Sequence, residues 1–190
     1  MIQPATTPEL TAEATRLRHG SLPTSGSPFT KPGNWTHERQ AGNDEWLTPP
    51  EIIRSLGNFD LDPCAPVKRP WATAKRHYTI LDDGLAQPWR GRVWCNPPYG
   101  PETHRWLAKL SNHGNGIALT FARTETKMFF AYVWNKADAA MFLRGRLNFY
   151  NVDGAPGRNS AGAPSVLVAY GANNVEALAN SRLDGKLIIL

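Results

Sequence analysis

The chain has 190 residues, with 21 lysines and arginines against 16 aspartates and glutamates, which gives a formal net charge of +5. This length accommodates one domain and a tail, and it excludes a second full-sized domain. No apolar run approaches the roughly 18 residues that span a membrane, and the N-terminus lacks the basic-then-apolar layout of a secretory signal. We therefore expect a cytoplasmic protein with no membrane association.

The cysteine content and the charge narrow the class of protein further. Cys64 and Cys95 are the two cysteines, which is too few for a disulfide scaffold, and neither belongs to a CxxC pair. The histidines are scattered, so we predict no metal site. The positive charge and the pI near 9.4 favour a polyanionic partner such as nucleic acid, although many basic proteins bind none.

The beginning of the chain differs in composition from the rest. The first 42 residues are rich in proline, glycine, threonine and serine, and the run LPTSGSPFTKPGN has no apolar period. Such a stretch cannot bury enough apolar surface to offset the entropy lost on ordering. We predict a mostly disordered extension over residues 1–42 and a folded domain over residues 43–190.

Short β-rich runs alternate with helical patterns after residue 43, which is typical of an α/β sheet. Thr48 as N-cap, Pro49 at the first helical position and Glu51 form a capping box that predicts a helix. The later pattern predicts strands in FDLDPC, GRVWCNPPYG, GIALTFA, AAMFLRGRLNFY and APSVLVAYG, and helices in ETHRWLAKLSNHG and ETKMFFAYVWNK. We expect a mixed, mostly parallel sheet with helices on both faces, whose ligands bind where strand order reverses at the carboxyl ends of strands.

A turn of four residues, Asn96, Pro97, Pro98 and Tyr99, follows the second of these strands. Such dipeptides are common in plain turns, which is one interpretation. The other is methylation of an exocyclic amine, whose lone pair is delocalised and attacks poorly unless acceptors hold the amine protons. The Asn96 side chain and the Pro97 carbonyl are such acceptors, and proline has no N–H to compete. The Tyr99 ring would stack on a base flipped out of a duplex.

Four segments carry a family resemblance: DEWLTPPEI, FDLDPCA, DDGLAQPW and GRVWCNPPYG. In this order they resemble the phage-type DNA N-6-adenine methyltransferases, a Dam-like family that uses S-adenosylmethionine, and the similarity runs from about residue 43 to residue 170. The resemblance implies a Rossmann-like methyltransferase fold. The stretch between Ala65 and Asp82 is too short for a complete βαβ unit, so we expect a fold trimmed between the first and fourth core strands.

The resemblance also implies an activity and a biological setting. The activity is transfer of a methyl group from S-adenosylmethionine to the N-6 amine of adenine in DNA, expected to be double-stranded. The setting is a bacteriophage or prophage gene that acts in the bacterial cytoplasm and protects DNA from restriction.

The same resemblance assigns roles to individual residues. Asn96 and Pro97 would hold the target amine, and Pro98 and Tyr99 complete the catalytic turn. The residues implied at the cofactor are Trp46, Thr48 and Pro49 beside its methionine end, Asp62, Pro63 and Cys64 in the loop after the first strand, and Asp83 at its adenine. This loop, DPCAPVKRP, lacks the glycines of the usual family loop. Asp62 as a turn cap and Thr48 as a helix cap therefore stay open as alternatives.

Four arginines are candidates for contacts to the DNA substrate: Arg123, Arg144, Arg146 and Arg158. A solvated basic surface is the other interpretation, and Arg123 could instead pair with Glu125. Two rival functions stay open as well. The same turn chemistry serves methylation of a protein glutamine amide or of an RNA base amine, and the glycine-free loop suggests a catalytically inactive nucleic-acid-binding relative.

Overall fold

The computed structural model describes residues 45–157 and 160–190, so the predicted extension over residues 1–42 and Arg158 lie outside the described residues. The helices are α1 (Pro50–Leu56), α2 (Thr103–His113), α3 (Lys127–Phe129), which continues into a π-helical turn over Phe130–Trp134, and α4 (Ala172–Asn180). The strands are β1 (Leu61–Asp62), β2 (Arg76–His77), β3 (Val93–Cys95), β4 (Gly116–Phe121), β5 (Ala139–Leu143), β6 (Ser165–Tyr170) and β7 (Gly185–Ile189).

These strands form one mixed sheet in the order β2-β1-β3-β4-β6-β5-β7. The strands β2, β1, β3 and β4 are parallel to one another, and the pairings of β6 with β4, β6 with β5 and β5 with β7 are antiparallel. The predicted mixed α/β architecture is confirmed. The prediction of a mostly parallel sheet is wrong, because the three antiparallel ladders are longer than the three parallel ones. β6 follows β5 through a connection whose described residues form no helix, and such a connection joins antiparallel strands.

Helices cover both faces of the sheet and divide the core into two clusters. On one face, α2 and the π-helical turn pack Leu107, Leu110 and Val133 against the sheet. On the other face, α1 and α4 bury Ile52 and Leu178. The short strand β3 is fully buried on both sides, which explains why its sequence is a continuous apolar run rather than an alternating one.

The strand order reverses between β1 and β3. From β1 the chain moves outward to β2 and then returns across β1 to form β3, which pairs with β1 at Leu61 and Val93. No helix lies in the connection over residues 63–75, because it is too short to cross the sheet face with one. The carboxyl ends of β1 and β3 therefore lie side by side, with Asp62 at one end and Asn96 directly after the other.

Several element predictions need correction or addition. Pro49, not Thr48, is the N-cap of α1, and Pro50 is its first helical residue, so the capping box is not formed. A helix was predicted over ETKMFFAYVWNK, and most of this helix has π-helical rather than α-helical hydrogen bonding. The sequence patterns did not indicate β2, α4 or β7. β2 has two residues and β7 is largely exposed, so neither has a strong apolar pattern.

Candidate functional site

The Asn96–Tyr99 turn leaves β3 at the reversal point and is fixed to the start of α2. The Thr103 hydroxyl donates to the Pro98 carbonyl at 2.7 Å and accepts from the Gly100 amide at 3.0 Å. Thr103 is 5% exposed, so these bonds are sheltered from water. The two prolines restrict the backbone of the turn, and α2 anchors its end. The turn is therefore rigid before any ligand arrives.

The Tyr99 ring stacks on an aromatic residue at the end of the neighbouring strand. Its centroid lies 4.1 Å from that of Phe121, with 16° between the ring planes, and Phe149 approaches with its edge at 6.2 Å. The phenol donates to Asn96 Oδ1 at 3.1 Å. Burial raises the pKa of the Tyr99 phenol, so it stays protonated and remains a donor at neutral pH. One ring face is occupied by Phe121, and the hydroxyl orients the Asn96 amide.

A small pocket lies beside this turn at the carboxyl ends of β1 and β3. It has about 230 Å³ of empty space, part of which is open to solvent, and it is lined by Trp46, Leu47, Thr48, Asp62, Cys64, Pro66, Thr73, Trp94 and Asn96. Five of the residues predicted from the sequence line it together, namely Trp46, Thr48, Asp62, Cys64 and Asn96. Segments separated by up to fifty positions in the sequence therefore converge where strand order reverses, as in other open α/β sheets.

Asp62 supplies the pocket with a buried carboxyl group. It is 4% exposed, its Oδ1 accepts from the Cys64 amide at 3.1 Å, and its Oδ2 accepts from the Thr73 hydroxyl. Burial raises the pKa of Asp62 to about 6, and the hydrogen bonds from Thr73 and Cys64 oppose that rise. Asp62 does form a turn with Cys64, as the alternative interpretation proposed, but it also lines the pocket. A cationic ligand group would stabilise the ionised form.

Thr48 brings an unpaired hydroxyl to the same pocket. It is 2% exposed, and its Oγ1 has no hydrogen-bond partner among the described residues. The prediction that Thr48 caps α1 is wrong, because the proline at position 49 takes the cap position and has no side-chain acceptor. A buried hydroxyl without a partner costs about 1–3 kcal/mol, so its presence in a pocket points to a ligand that completes it.

The two thiols of the site lie next to each other. Cys64 Sγ is 3.9 Å from Cys95 Sγ and donates to the Asn96 carbonyl at 3.3 Å. Burial raises the pKa of the Cys64 thiol, which keeps it protonated and unreactive. Both residues therefore act as packing groups that join the ends of β1 and β3. Among the described residues no cluster of three metal-ligating side chains occurs.

The acidic segment before the glycine at position 84 lies at the rim of the site. Asp82 closes a turn, since its Oδ2 accepts from the Thr79 amide and hydroxyl at 2.8 and 2.9 Å. Asp83 is exposed, has a positive φ of 50° and does not line the pocket. The segment is nevertheless close to the loop after β1, because a Cβ added at Gly84 would lie 1.9 Å from the Pro63 carbonyl oxygen.

The three described arginines proposed at the substrate are exposed, but two have protein partners. The Arg144 guanidinium lies 3.7 Å from the Asp184 carboxylate, and Arg146 Nη1 donates to the Ala161 carbonyl at 2.9 Å. Arg123 lies over the Phe121 ring, 5.9 Å from its centroid. Arg123 therefore belongs to the aromatic group that includes Tyr99. Pro49 and Pro63, also proposed at the cofactor, are buried and lie next to lining residues rather than in the lining.

Sequence reasoning missed six residues of the site: Leu47, Pro66, Thr73 and Trp94 in the pocket, and Phe121 and Phe149 beside Tyr99. Phe121 could have been found, because it ends a strand parallel to β3 and three positions separate it from the residue paired with Cys95. Thr73 and Phe149 lie in irregular segments without a periodic pattern. Their position depends on long-range hydrogen bonds that composition does not reveal.

Comparison with known proteins gives one family match. The family model described as DNA N-6-adenine-methyltransferase (Dam) matches residues 35–180, which is well over half of the chain. Neither the curated proteins nor the solved structures contain a match. No described helix is both long enough and apolar enough to cross a bilayer.

Proposed function

The chain belongs to the Dam family of DNA N-6-adenine methyltransferases, and from this premise we propose that it transfers the methyl group of S-adenosylmethionine to the N-6 amine of a flipped adenine. One observation carries the proposal. The Asn96 amide lies between a pocket with a buried carboxyl group and a stacked aromatic group, at the point where strand order reverses. A methyl donor and an acceptor base placed on its two sides would meet there.

The pocket suits the methionine end of the cofactor. The Asp62 carboxyl complements the positive charge of the amine and sulfonium groups, and the unpaired Thr48 hydroxyl offers a further hydrogen bond. Trp46 and Trp94 are also among the lining residues, and a cation near an indole face would be stabilised further. When bound, the cofactor would supply a methyl group on a positively charged sulfur. At the glycine-free loop after β1, side chains rather than backbone amides would therefore bind the cofactor.

The turn after β3 would hold the base. Asn96 Oδ1 has a second lone pair beyond the one used by Tyr99, and with the Pro97 carbonyl it would accept the two amine protons. With its protons held in this way, the nitrogen could become pyramidal. Its lone pair would then no longer be conjugated with the ring and could attack the methyl group. Because Phe121 covers one face of Tyr99, the base would stack on the opposite face. The proton released after transfer would leave to solvent.

The finer features of the fold and partner follow from the same proposal. Reversal of strand order between β1 and β3, with helices on both faces, supports a Rossmann-like core, and the helix-free β1–β2 connection is where we propose that it is trimmed. Asp83 would reach the adenine of the cofactor from the rim. The arginines described above would face the phosphates of double-stranded DNA. Origin in a phage, action in the bacterial cytoplasm and evasion of restriction belong to this proposal.

Mass spectrometry of nucleosides tests the proposal directly. Unmethylated plasmid DNA is incubated with S-adenosylmethionine and the wild type, Asn96→Ala, or Asn173→Ala, an exposed asparagine on α4. We expect N-6-methyladenine with the wild type and Asn173→Ala and almost none with Asn96→Ala. If the DNA stays unmodified although the protein binds the cofactor, the substrate is instead an RNA base amine or a protein glutamine amide. Absence of cofactor binding in calorimetry would indicate a non-catalytic nucleic-acid binder.

A further inference from the structure

A series of hydrogen bonds leads from β2 to the Asp62 carboxyl. Thr73 lines the pocket, is 6% exposed and donates through its hydroxyl to Asp62 Oδ2. The backbone amides of Thr73 and Ala74 both donate to Nε2 of His77, each at 3.3 Å. Nε2 of His77 therefore fixes the backbone at Thr73, and the Thr73 hydroxyl fixes the Asp62 carboxyl.

The surrounding backbone fixes both ends of this series. Asp62 and His77 are paired positions of the parallel strands β1 and β2, and the Tyr78 amide donates to the Asp62 carbonyl at 2.8 Å. The Ala65 amide donates to the Tyr78 carbonyl at 2.9 Å. Residues 63–75 between the strands contain no helix or strand. The orientation of residues 63–75 therefore depends on side-chain hydrogen bonds rather than on secondary structure.

The series requires a neutral imidazole. Nε2 of His77 accepts from two amides, so it carries no proton, and a protonated ring would lose both bonds. Burial and then the charge of Arg69 lower the pKa of His77, which keeps the ring neutral at physiological pH. The direction of that shift agrees with the geometry.

We propose that Thr73, held by His77, is a positioning residue that orients the Asp62 carboxyl toward the cofactor and stabilises its ionised form. This inference rests on the proposed function, because it assumes that a cationic group of S-adenosylmethionine lies against Asp62. Neither the family match nor any sequence pattern assigns a role to Thr73 or His77. The residue acts through Asp62 and touches the reacting atoms at no point.

A pH dependence follows from the position of the hydroxyl. The hydrogen bond from Thr73 lowers the pKa of Asp62, whereas burial raises it, so loss of the hydroxyl must raise that pKa further. The titratable or charged groups that act on the carboxyl are Arg69 and Cys64; Cys95 lies against Cys64, and His77 is connected to the carboxyl through Thr73. The cofactor binds the ionised carboxyl, so affinity should increase with pH, and its midpoint should move to higher pH when the hydroxyl is removed.

The experiment is calorimetric titration of the full chain with S-adenosylhomocysteine between pH 5 and pH 8. Thr73→Val should bind at least about tenfold more weakly at pH 7, since a hydrogen bond to a charged group is lost, and its midpoint should lie at higher pH. Thr73→Ser should restore both values. Thr126→Val removes the hydroxyl that caps α3, away from the pocket, and should leave both values unchanged.

Each outcome bears on a different statement. Unchanged affinity and midpoint in Thr73→Val, with normal wild-type binding, would overturn the positioning role. Weaker binding at every pH without a change in midpoint would also overturn it, because a loss of structure alone would have that effect.

If Thr73→Val does not fold, the test is instead hydrogen exchange of the Thr73 and Ala74 amides in the wild type. Their protection should fall together with affinity as His77 is protonated, and independence of the two would contradict the inference. No binding by the wild type would instead refute the proposed function.

Discussion

The two sides of the site are built by different means. On the β3 side, two prolines and the sheltered hydroxyl of Thr103 make the turn rigid through local structure. On the β1 side, a segment without helix or strand is held by the Thr73 hydroxyl, which donates to Asp62, and by the His77 imidazole, which accepts from two backbone amides. The rigid side presents uncharged acceptors, and the side-chain-supported side presents a titratable carboxyl. We therefore expect variants on the β3 side to affect the chemical step and those on the β1 side to affect cofactor affinity.

The largest effect is expected from Asn96→Ala on the rigid side. This change removes an acceptor used as charge develops on the amine, and loss of such a preorganised contact lowers kcat by about 10²–10³-fold. Single-turnover methylation checks the rate, and calorimetry with S-adenosylhomocysteine should show affinity within about threefold of wild type. Activity close to wild type would refute the role of this amide.

Asp62→Asn on the other side should affect stability and binding in opposite directions. The folded-state pKa of Asp62 is about 6, above the ordinary value of 3.8 for an aspartate, so between these two pH values the folded chain keeps a proton that the unfolded chain releases. The contribution of Asp62 to stability is therefore fully present below about pH 4 and is lost as the pH rises through about 6. Removing the charge should stabilise the ligand-free protein by up to about 3 kcal/mol at pH 7.5, and should weaken cofactor binding.

Urea unfolding at pH 7.5 and pH 4 measures the stability effect of Asp62→Asn. The stabilisation should be large at pH 7.5 and nearly absent at pH 4, where the wild-type carboxyl is already protonated. An equal effect at both pH values would show that packing, rather than charge, determines it.

Tyr99 separates stacking from orientation. Tyr99→Ala removes a ring contact of about 1–3 kcal/mol to the base and should lower kcat/KM by about 10–100-fold. From the sequence, Tyr99→Phe would be nearly silent, because only the ring would matter. The hydrogen bond from the phenol to Asn96 changes that expectation. We expect Tyr99→Phe to lower kcat/KM by about threefold to tenfold in steady-state methylation. If kcat/KM is unchanged, only the ring of Tyr99 contributes to activity.

The smallest effect is expected from Thr48→Val. The substitution removes an unpaired buried hydroxyl while it keeps the shape of the side chain, so the ligand-free protein should gain about 1 kcal/mol in thermal or urea unfolding. Cofactor affinity should fall by about threefold to tenfold. Ser165→Ala removes the other buried hydroxyl without a partner in the described part of the chain, and Ser165 does not line the pocket. Ser165→Ala should stabilise the protein without changing cofactor affinity. If it lowers cofactor affinity as much as Thr48→Val does, the Thr48 hydroxyl has no specific role in binding.

The same contrast explains what the sequence could predict. The Asn96–Tyr99 turn was predictable, because its chemistry is written in four consecutive residues after an apolar strand. The α2 helix was predictable too, since its apolar residues are periodic and Gly114 ends it in the left-handed conformation. Thr73, His77 and Phe149 were not, because tertiary hydrogen bonds and packing place them. The prediction of an N-cap at Thr48 was wrong because the helix begins one residue later, with Pro49 at the cap position and no side-chain cap hydrogen bond.

The antiparallel β5–β6 pair has a consequence for how the protein can change. β5 ends and β6 begins at the edge of the sheet that carries the site, so the entire connection over residues 144–164 starts and finishes there. It reaches Tyr99 through Phe149 and pairs with Leu47 through Tyr150. The two strand ends act as fixed attachment points, whatever the length or composition between them. Because Phe149 and Ala161 of this connection belong to the buried core, changes that leave the core intact are confined to its exposed positions, where recognition can be altered at little cost to stability.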